Sequence, residues 1–347
     1  MILKQIPEDF IVNELIKLEI KDRGDYAYFR LKKKNLTTTC AISLISDKLN
    51  IPAKRFNYAG MKDKKAITSQ AISVFHVSKD RLEKLKIKDI KIDFLGYGNE
   101  RINLGDLDRN EFMITVRDIE LAPSLKKAIP NYFDDQRFSR NNHKIGKSIL
   151  KRDYKKAIQI ILETDSSDWK KINVSGSYEK KILDFIIENP TDYIGGIRML
   201  HKKELLIYIH AFQSYVWNRT VSEYLKKIIT DYRTINYSAG KLIFPDGRLK
   251  NIRIPLVGFG TEFENREIEK ITRDILKEEN ITLRDFVIRS MPELSAEGNE
   301  RDLLIDIKNL KINELEDDDL NIGKKKCTLS FDLGKGSYAT IVIKALF

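Results

Sequence analysis

The strongest constraint on the fold is a change of pattern along the chain. Residues 10–14, 26–33, 72–77 and 112–119 carry the aromatic and β-branched residues that are typical of strands. From about residue 148 to 228 the pattern is helical instead, with Leu205, Ile209, Phe212 and Val216 at helical spacing. This pattern predicts an α+β protein with a mainly antiparallel mixed sheet, flanking helices and a helical middle.

Shorter segments complete this prediction. Thr37, Thr38 or Thr39 is expected to cap a helix that runs to about Leu49. Residues 267–279 predict another helix, and β-like segments return at 303–307 and 337–343. We therefore expect one sheet domain, residues 1–150 and 290–347, with strands from both chain ends. A mostly helical insertion, residues 151–289, interrupts it.

Several classes of protein are excluded by the scarcity of particular residues. Only two cysteines, Cys40 and Cys327, and four histidines are present, so we expect neither a disulfide framework nor a metal site. No apolar run approaches the roughly 20 residues of a membrane span. The first seven residues lack the apolar stretch of a secretory signal. These features predict a soluble, cytoplasmic protein that does not bind membranes.

The charge of the chain suggests the class of its partner. Lys and Arg number 62 against 51 Asp and Glu, which gives a net charge of +11. An excess of positive charge favours an anionic partner, most often nucleic acid. A composition rich in Lys, Glu and Ile is also typical of proteins from hot habitats or AT-rich genomes. Charge alone leaves both interpretations open.

One segment combines features of a catalytic loop. Residues 57–70 read Asn-Tyr-Ala-Gly-Met-Lys-Asp-Lys-Lys-Ala-Ile-Thr-Ser-Gln, so Asp63 lies among Lys62, Lys64 and Lys65. Nearby cations favour the charged form of a carboxylate. An ionised Asp in a basic loop can act as a nucleophile on a substrate that its phosphates bring in. The alternative is an exposed loop whose charges pair with one another.

This segment resembles the signature of the TruD family of tRNA pseudouridine synthases. Five further segments resemble family motifs in the family's order, so the resemblance spans nearly the whole chain: residues 3–12 (Leu-Lys-Gln-Ile-Pro-Glu-Asp-Phe-Ile-Val), 102–112, 130–138 (Pro-Asn-Tyr-Phe-Asp-Asp-Gln-Arg-Phe), 211–219 (Ala-Phe-Gln-Ser-Tyr-Val-Trp-Asn-Arg) and 336–342. The family's architecture is a pseudouridine synthase fold that a family-specific domain interrupts. The resemblance thus implies that residues 151–289 are that domain.

The resemblance also implies an activity. Enzymes of this family convert a uridine of tRNA, typically uridine 13 in the D-arm, into pseudouridine by detaching the base and reattaching it through carbon. The reaction consumes no cofactor, so we expect none, and tRNA is the expected partner of a monomeric enzyme. By its place in the motif, Asp63 is the catalytic aspartate, although the sequence leaves open whether it acts at the sugar or at the base.

Further site residues follow from the same motifs. The resemblance places Phe10, Phe133 and Tyr338 around an extruded base, Asn131 at its polar edge and Lys4 beside Asp63. An extruded base loses its stacking, which an aromatic platform restores in part. The alternatives are that Phe10 and Phe133 are ordinary core aromatics and that Lys4 is a surface lysine. Gln136 and Arg137 fit either a structural role or substrate contact.

The chain departs from the family pattern at three positions. Asp134 and Ser139 stand where the central motif has glycine, and Tyr338 stands where phenylalanine is common. A lost glycine matters if the backbone there needs a positive φ. We expect an active enzyme, with lysines and arginines of residues 144–203 lining a basic cleft for the tRNA backbone. A non-catalytic RNA-binding or RNA-folding protein with the same cleft is the alternative.

Overall fold

The structure is a computed structural model that describes residues 1–126 and 128–347, without the side chain of Arg140. Its strands are β1 (Phe10–Leu15), β2 (Tyr26–Lys34), β3 (Phe56–Tyr58), β4 (Ile67–Phe75), β5 (Ile90–Gly98), β6 (Arg109–Ile119), β7 (Tyr232–Tyr237), β8 (Gly240–Pro245), β9 (Arg253–Leu256), β10 (Asn299–Asp302), β11 (Ile307–Ile312), β12 (Glu316–Asp317) and β13 (Lys325–Gly334). Its α-helices are α1 (Thr38–Leu49), α2 (Lys79–Glu83), α3 (Asn142–Leu150), α4 (Tyr154–Ile161), α5 (Ser177–Glu188), α6 (Tyr193–Arg198), α7 (Lys202–Ile228), α8 (Arg266–Glu278) and α9 (Ala339–Leu346).

The chain forms two compact units. The first contains residues 1–125, 306–339 and 347, and the second contains residues 126–305 and 340–346. These divisions differ from the predicted boundaries after residues 150 and 289. Which residues make up a catalytic domain and a family-specific insertion stays a prediction.

The first unit is built on one large sheet. Its strand order is β11-β13-β6-β1-β4-β2-β5, with β12 beside β13 and β3 beside β4. Only the β1–β4 pair is parallel among these described strands. Ile42 and Ile45 of helix α1 belong to the same buried hydrophobic cluster as Phe29 and Leu31 of β2. The predicted α+β class with a mainly antiparallel sheet is confirmed.

The second unit is mainly helical around its own core. The predicted periodic residues of α7, Leu205, Ile209, Phe212 and Val216, are all buried in that core. Strands β7 and β8 form one antiparallel pair, and β9 and β10 form another. Of the described helices, none is both long enough and apolar enough to span a bilayer.

Most predicted elements are confirmed, and the cap of α1 is resolved. The side-chain oxygen of Thr37 accepts a hydrogen bond from the backbone N–H of Cys40, so Thr37 is the cap. The predicted helix at 267–279 is α8, which begins one residue earlier because the side chain of Asn265 caps the backbone N–H groups of Glu267 and Ile268.

The predictions near the C-terminus are wrong. Residues 337–343 were expected to form a strand, but residues 339–346 form helix α9. Ile341, Val342 and Ile343 are all fully buried. Three consecutive buried β-branched residues give no alternation, and a short apolar run does not distinguish a buried helix from a strand. Residues 303–307 were also expected to form a strand, but they lie mostly between β10 and β11. The sequence patterns also missed strands β5 and β13.

Candidate active site

Asp63 lies in the loop between β3 and β4 of the first unit. Lys4 Nζ donates a hydrogen bond to Asp63 Oδ2 over 2.6 Å, and the two side chains are 23% and 31% exposed. The same ammonium group lies 3.9 Å from the centre of the Phe10 ring. The structure therefore brings together three predicted site residues, Lys4, Phe10 and Asp63, with the carboxylate still open to solvent.

The backbone of this loop is fixed by buried side chains. Lys33 Nζ donates to the carbonyl oxygen of Asp63 over 2.8 Å and to that of Leu36 over 2.6 Å. Gln70 Nε2 donates to the carbonyl oxygen of Gly60, and the backbone N–H of Lys62 donates to Thr38 Oγ1. The sheet and α1 thus set the position of the Asp63 backbone from several directions.

The lysines that flank Asp63 in sequence do not surround its carboxylate. Lys62 Nζ donates instead to Glu14 Oε2 over 2.6 Å and to Asn110 Oδ1 over 3.0 Å. The Glu14 side chain is fully buried, and its other oxygen accepts the backbone N–H of Ala71. Lys64 and Lys65 are exposed. The cation on the carboxylate is Lys4, which lies 59 positions away in the sequence.

Phe10 and Tyr338 complete the predicted residues of the first unit. Phe10 is 3% exposed in β1 and packs edge-on against Phe112 at 6.0 Å between ring centres. It is therefore a core aromatic on which Lys4 rests. Tyr338 is partly buried just before α9.

Asn131 and Phe133 lie in the second unit and share one environment. The guanidinium carbon of Arg301 is 4.1 Å from the centre of the Phe133 ring, and Arg301 Nη2 donates to Asn131 Oδ1 over 2.7 Å. Both residues of the motif are buried, since Asn131 is 7% exposed and Phe133 is 4% exposed. Trp217 packs edge-on against Phe133 at 5.7 Å.

Helix α7 explains the motif at residues 211–219. Asn218 Oδ1 accepts the backbone N–H of Phe133, and Asn218 Nδ2 donates to the backbone carbonyl of the same residue. The motif was recognised in the sequence, but the sequence assigned no role to Trp217 or Asn218. Arg301 was missed because it stands in no matched motif and lies 170 positions from Asn131.

The departures in the central motif are accommodated without strain. Asp134 has φ −96°, so the position does not need glycine. Lys344 Nζ binds Asp134 Oδ1 over 2.6 Å and Asp135 Oδ2 over 2.7 Å. One ammonium group thus offsets the negative charges of both carboxylates. Within residues 1–126 and 128–347, no three His, Cys, Asp or Glu side chains form a group that would hold a metal.

Comparison with known proteins gives the family. A model of the family described as tRNA pseudouridine synthase D (TruD) matches residues 1–172 and 163–346 of the chain. The chain belongs to the TruD family. The resemblance seen in the motifs is confirmed.

Individual TruD relatives cover nearly all of the chain. A Methanocaldococcus jannaschii protein named probable tRNA pseudouridine synthase D 2 is 35% identical, over 100% of this chain and 92% of its own length. An Aquifex aeolicus protein named tRNA pseudouridine synthase D is 28% identical, over 99% and 97%. A crystal structure of a Methanosarcina mazei protein described as TruD has a TM-score of 0.75 at 30% identity, and the match covers 99% of this chain and 92% of that one.

Proposed function

We propose that this TruD protein isomerises uridine to pseudouridine in tRNA, with Asp63 as the catalytic carboxylate. The observation that carries the proposal is the Lys4–Asp63 pair: a partly exposed carboxylate on a loop whose backbone Lys33, Thr38 and Gln70 hold in place. A rigidly held nucleophile reacts faster because less freedom is lost on reaching the transition state. The names of the relatives support tRNA as the substrate.

The chemistry is an isomerisation. The bond between the sugar C1′ and N1 of uracil breaks, and a bond between C1′ and C5 forms. C5 loses a proton and N1 gains one, so the atoms balance and no cofactor is consumed. Asp63 either attacks C1′ or adds to the base, and both routes need an ionised carboxylate. Lys4 stabilises that charge before the reaction.

The target uridine must leave its stack in the folded RNA before Asp63 can reach it. We assign uridine 13 of the D-arm as the target. The proposal gives Asn131 the polar edge of the uracil and gives Phe10, Phe133 and Tyr338 apolar contact with the base or support beneath it. The burial of Phe10 favours support rather than direct stacking. A monomeric state and a cytoplasmic location stay predictions.

The decisive experiment compares the wild type with Asp63→Asn. This change keeps the size and removes the charge, so we expect pseudouridine formation to disappear while tRNA binding is retained. Pseudouridines are mapped chemically in tRNA incubated with each purified protein, and binding is measured by filter retention. Asp22→Asn, at an exposed position of the same unit, is the matched control.

Each result assigns the function. A pseudouridine at the D-arm that appears with the wild type and Asp22→Asn, but not with Asp63→Asn, supports the proposal. A wild type that binds tRNA and leaves no pseudouridine in it would favour the non-catalytic RNA-binding alternative.

A further inference from the structure

Arg301 makes two hydrogen bonds to the same residue. Its Nε donates to the backbone carbonyl of Asn131 over 2.8 Å, and its Nη2 donates to Asn131 Oδ1 over 2.7 Å. The guanidinium group also lies over the Phe133 ring at 4.1 Å and near the Trp217 ring at 5.5 Å. Two hydrogen bonds and two aromatic faces leave Arg301 little freedom to move.

The chain around this contact is equally well fixed. Arg301 belongs to β10, which pairs with β9. The backbone N–H of Asn131 donates to the carbonyl of Leu303 over 2.7 Å, and that of Ile305 donates to the carbonyl of Ile129 over 2.9 Å. The segments that carry Arg301 and Asn131 are thus held side by side by backbone bonds as well.

The chemistry of arginine then decides the orientation of the Asn131 amide. A guanidinium group has five N–H donors and no acceptor, so it can bind only the oxygen of an amide. The Oδ1 atom is therefore committed to Arg301, and the amide cannot flip without losing a charge-assisted hydrogen bond. Among the described residues, no acceptor is recorded for Asn131 Nδ2.

We infer that Arg301 is a positioning residue that commits Asn131 to donate from Nδ2 to a carbonyl oxygen of the target base. The inference deepens the proposed function and rests on it. Uracil offers two such oxygens, O2 and O4, whereas cytosine has an amino group in place of O4. If the contact is to O4, Arg301 helps to select uridine without touching the base, by fixing the orientation of the Asn131 amide.

The test substitutes Asn131, the proposed donor, and Arg301, the residue that positions it, in separate variants. Asn131→Asp keeps the shape and the bond to Arg301 but has no N–H to donate. Arg301→Lys keeps the charge but cannot bind both oxygens in the same fork geometry. Arg253→Lys makes the same change at an exposed arginine of the neighbouring strand and is the matched control. Single-turnover rates and tRNA affinities are measured for all four proteins.

We expect the single-turnover rate to fall about 100-fold in Asn131→Asp, the range seen when one donor to a reacting group is removed. In Arg301→Lys we expect a fall of about 10- to 100-fold, because small misplacements of a contact group have effects of that size. Affinity for tRNA should change little, and Arg253→Lys should match the wild type.

A second measurement separates positioning from a purely structural role. The target uridine is replaced by 2-thiouridine or 4-thiouridine, since sulfur is a weaker acceptor than oxygen. The wild type should lose about 2- to 10-fold in rate with one of the two, the value of one hydrogen bond. Asn131→Asp and Arg301→Lys should show no such loss, because the substitution in the protein and the sulfur in the base disrupt the same hydrogen bond.

The outcomes are distinct. If Asn131→Asp keeps the wild-type rate, or if the thio effect is the same in all variants, the inference is overturned, although pseudouridine formation by the wild type would still support the proposed function. If the wild type forms no pseudouridine, the proposed function itself fails. Should Arg301→Lys fold poorly, Arg301→Met, which removes both donors to Asn131, replaces it. A wild-type rate in the Arg301 variant that folds overturns the inference.

Discussion

At the residue scale, burial gives each lysine near Asp63 a different role. Lys4 is partly exposed and binds the carboxylate. Lys62 neutralises Glu14, a buried charge that would be costly without a partner. Lys33 is 1% exposed and donates to the backbone carbonyls of Leu36 and Asp63. These three cations lie on separate segments, so the site depends on long-range packing rather than on the basic loop alone.

The buried Lys33 predicts a specific pH dependence of stability. Burial lowers its pKa to about 8, with Asp63 opposing the shift and Lys62 adding to it. In the unfolded chain, a lysine keeps its proton up to about pH 10.4. Between those two values the unfolded chain binds more protons, so the contribution of Lys33 to the free energy of unfolding rises with pH.

We therefore expect the free energy of unfolding of the wild type, relative to Lys33→Met, to increase from about pH 7 to about pH 10. Urea unfolding at several pH values measures it. Lys32→Met, at an exposed position on the same strand, controls for the loss of one positive charge. If the free energies of unfolding of the wild type and Lys33→Met change with pH in parallel, the prediction is contradicted.

At the element scale, the contact between α3 and α7 depends on one glycine. A Cβ atom at Gly146 would lie 2.0 Å from the backbone oxygen of Tyr208 and 3.2 Å from Phe212 Cβ. The backbone oxygen cannot move aside as a flexible side chain would. Helix α7 also carries Asn218, which binds both backbone groups of Phe133, so a shift of this helix changes the site.

We expect Gly146→Ala to destabilise the protein by at least about 1–3 kcal/mol, the usual cost of overpacking. Gly247→Ala is the matched control, because no atom lies within 4 Å of the added Cβ there. Urea denaturation of both variants gives the two free energies of unfolding. Equal values would show that α3 and α7 separate easily at this point.

At the scale of the whole molecule, the net charge of +11 predicts salt-dependent binding to tRNA. Each phosphate that a lysine or arginine neutralises releases condensed counterions, so the logarithm of affinity falls linearly with the logarithm of salt concentration. Lys144, Lys202 and Lys203 are exposed. They belong to residues 144–203, which we expect to line a basic cleft for the tRNA backbone.

Reversing these three lysines to glutamate should weaken tRNA binding at low salt and flatten its salt dependence, while the single-turnover rate at saturating tRNA stays near that of the wild type. Reversal of Lys250, Lys270 and Lys277, also exposed, changes the net charge equally and is the control. If both triple variants lose the same affinity, binding depends on total charge and not on residues 144–203.

Much of the fold and the family could be predicted from local patterns. The strands at 10–14 and 26–33, helix α1 and the helical middle follow from alternation, capping residues and helical spacing, all of which operate over a few residues. The motifs gave the family for the same reason, because the groups that act in one loop are close in sequence. Lys4 and Asp63, predicted to be neighbours from the motifs, do form a pair.

What the sequence by itself determined was the fold class, the family and the identity of the candidate carboxylate. The tertiary structure alone decided that Lys62 pairs with Glu14, that residues 339–346 form a helix and that Arg301 binds the side-chain oxygen of Asn131. The two contacts join groups that lie 48 and 170 positions apart in the sequence. Buried polar groups must find partners wherever packing places them, and no local pattern records that placement.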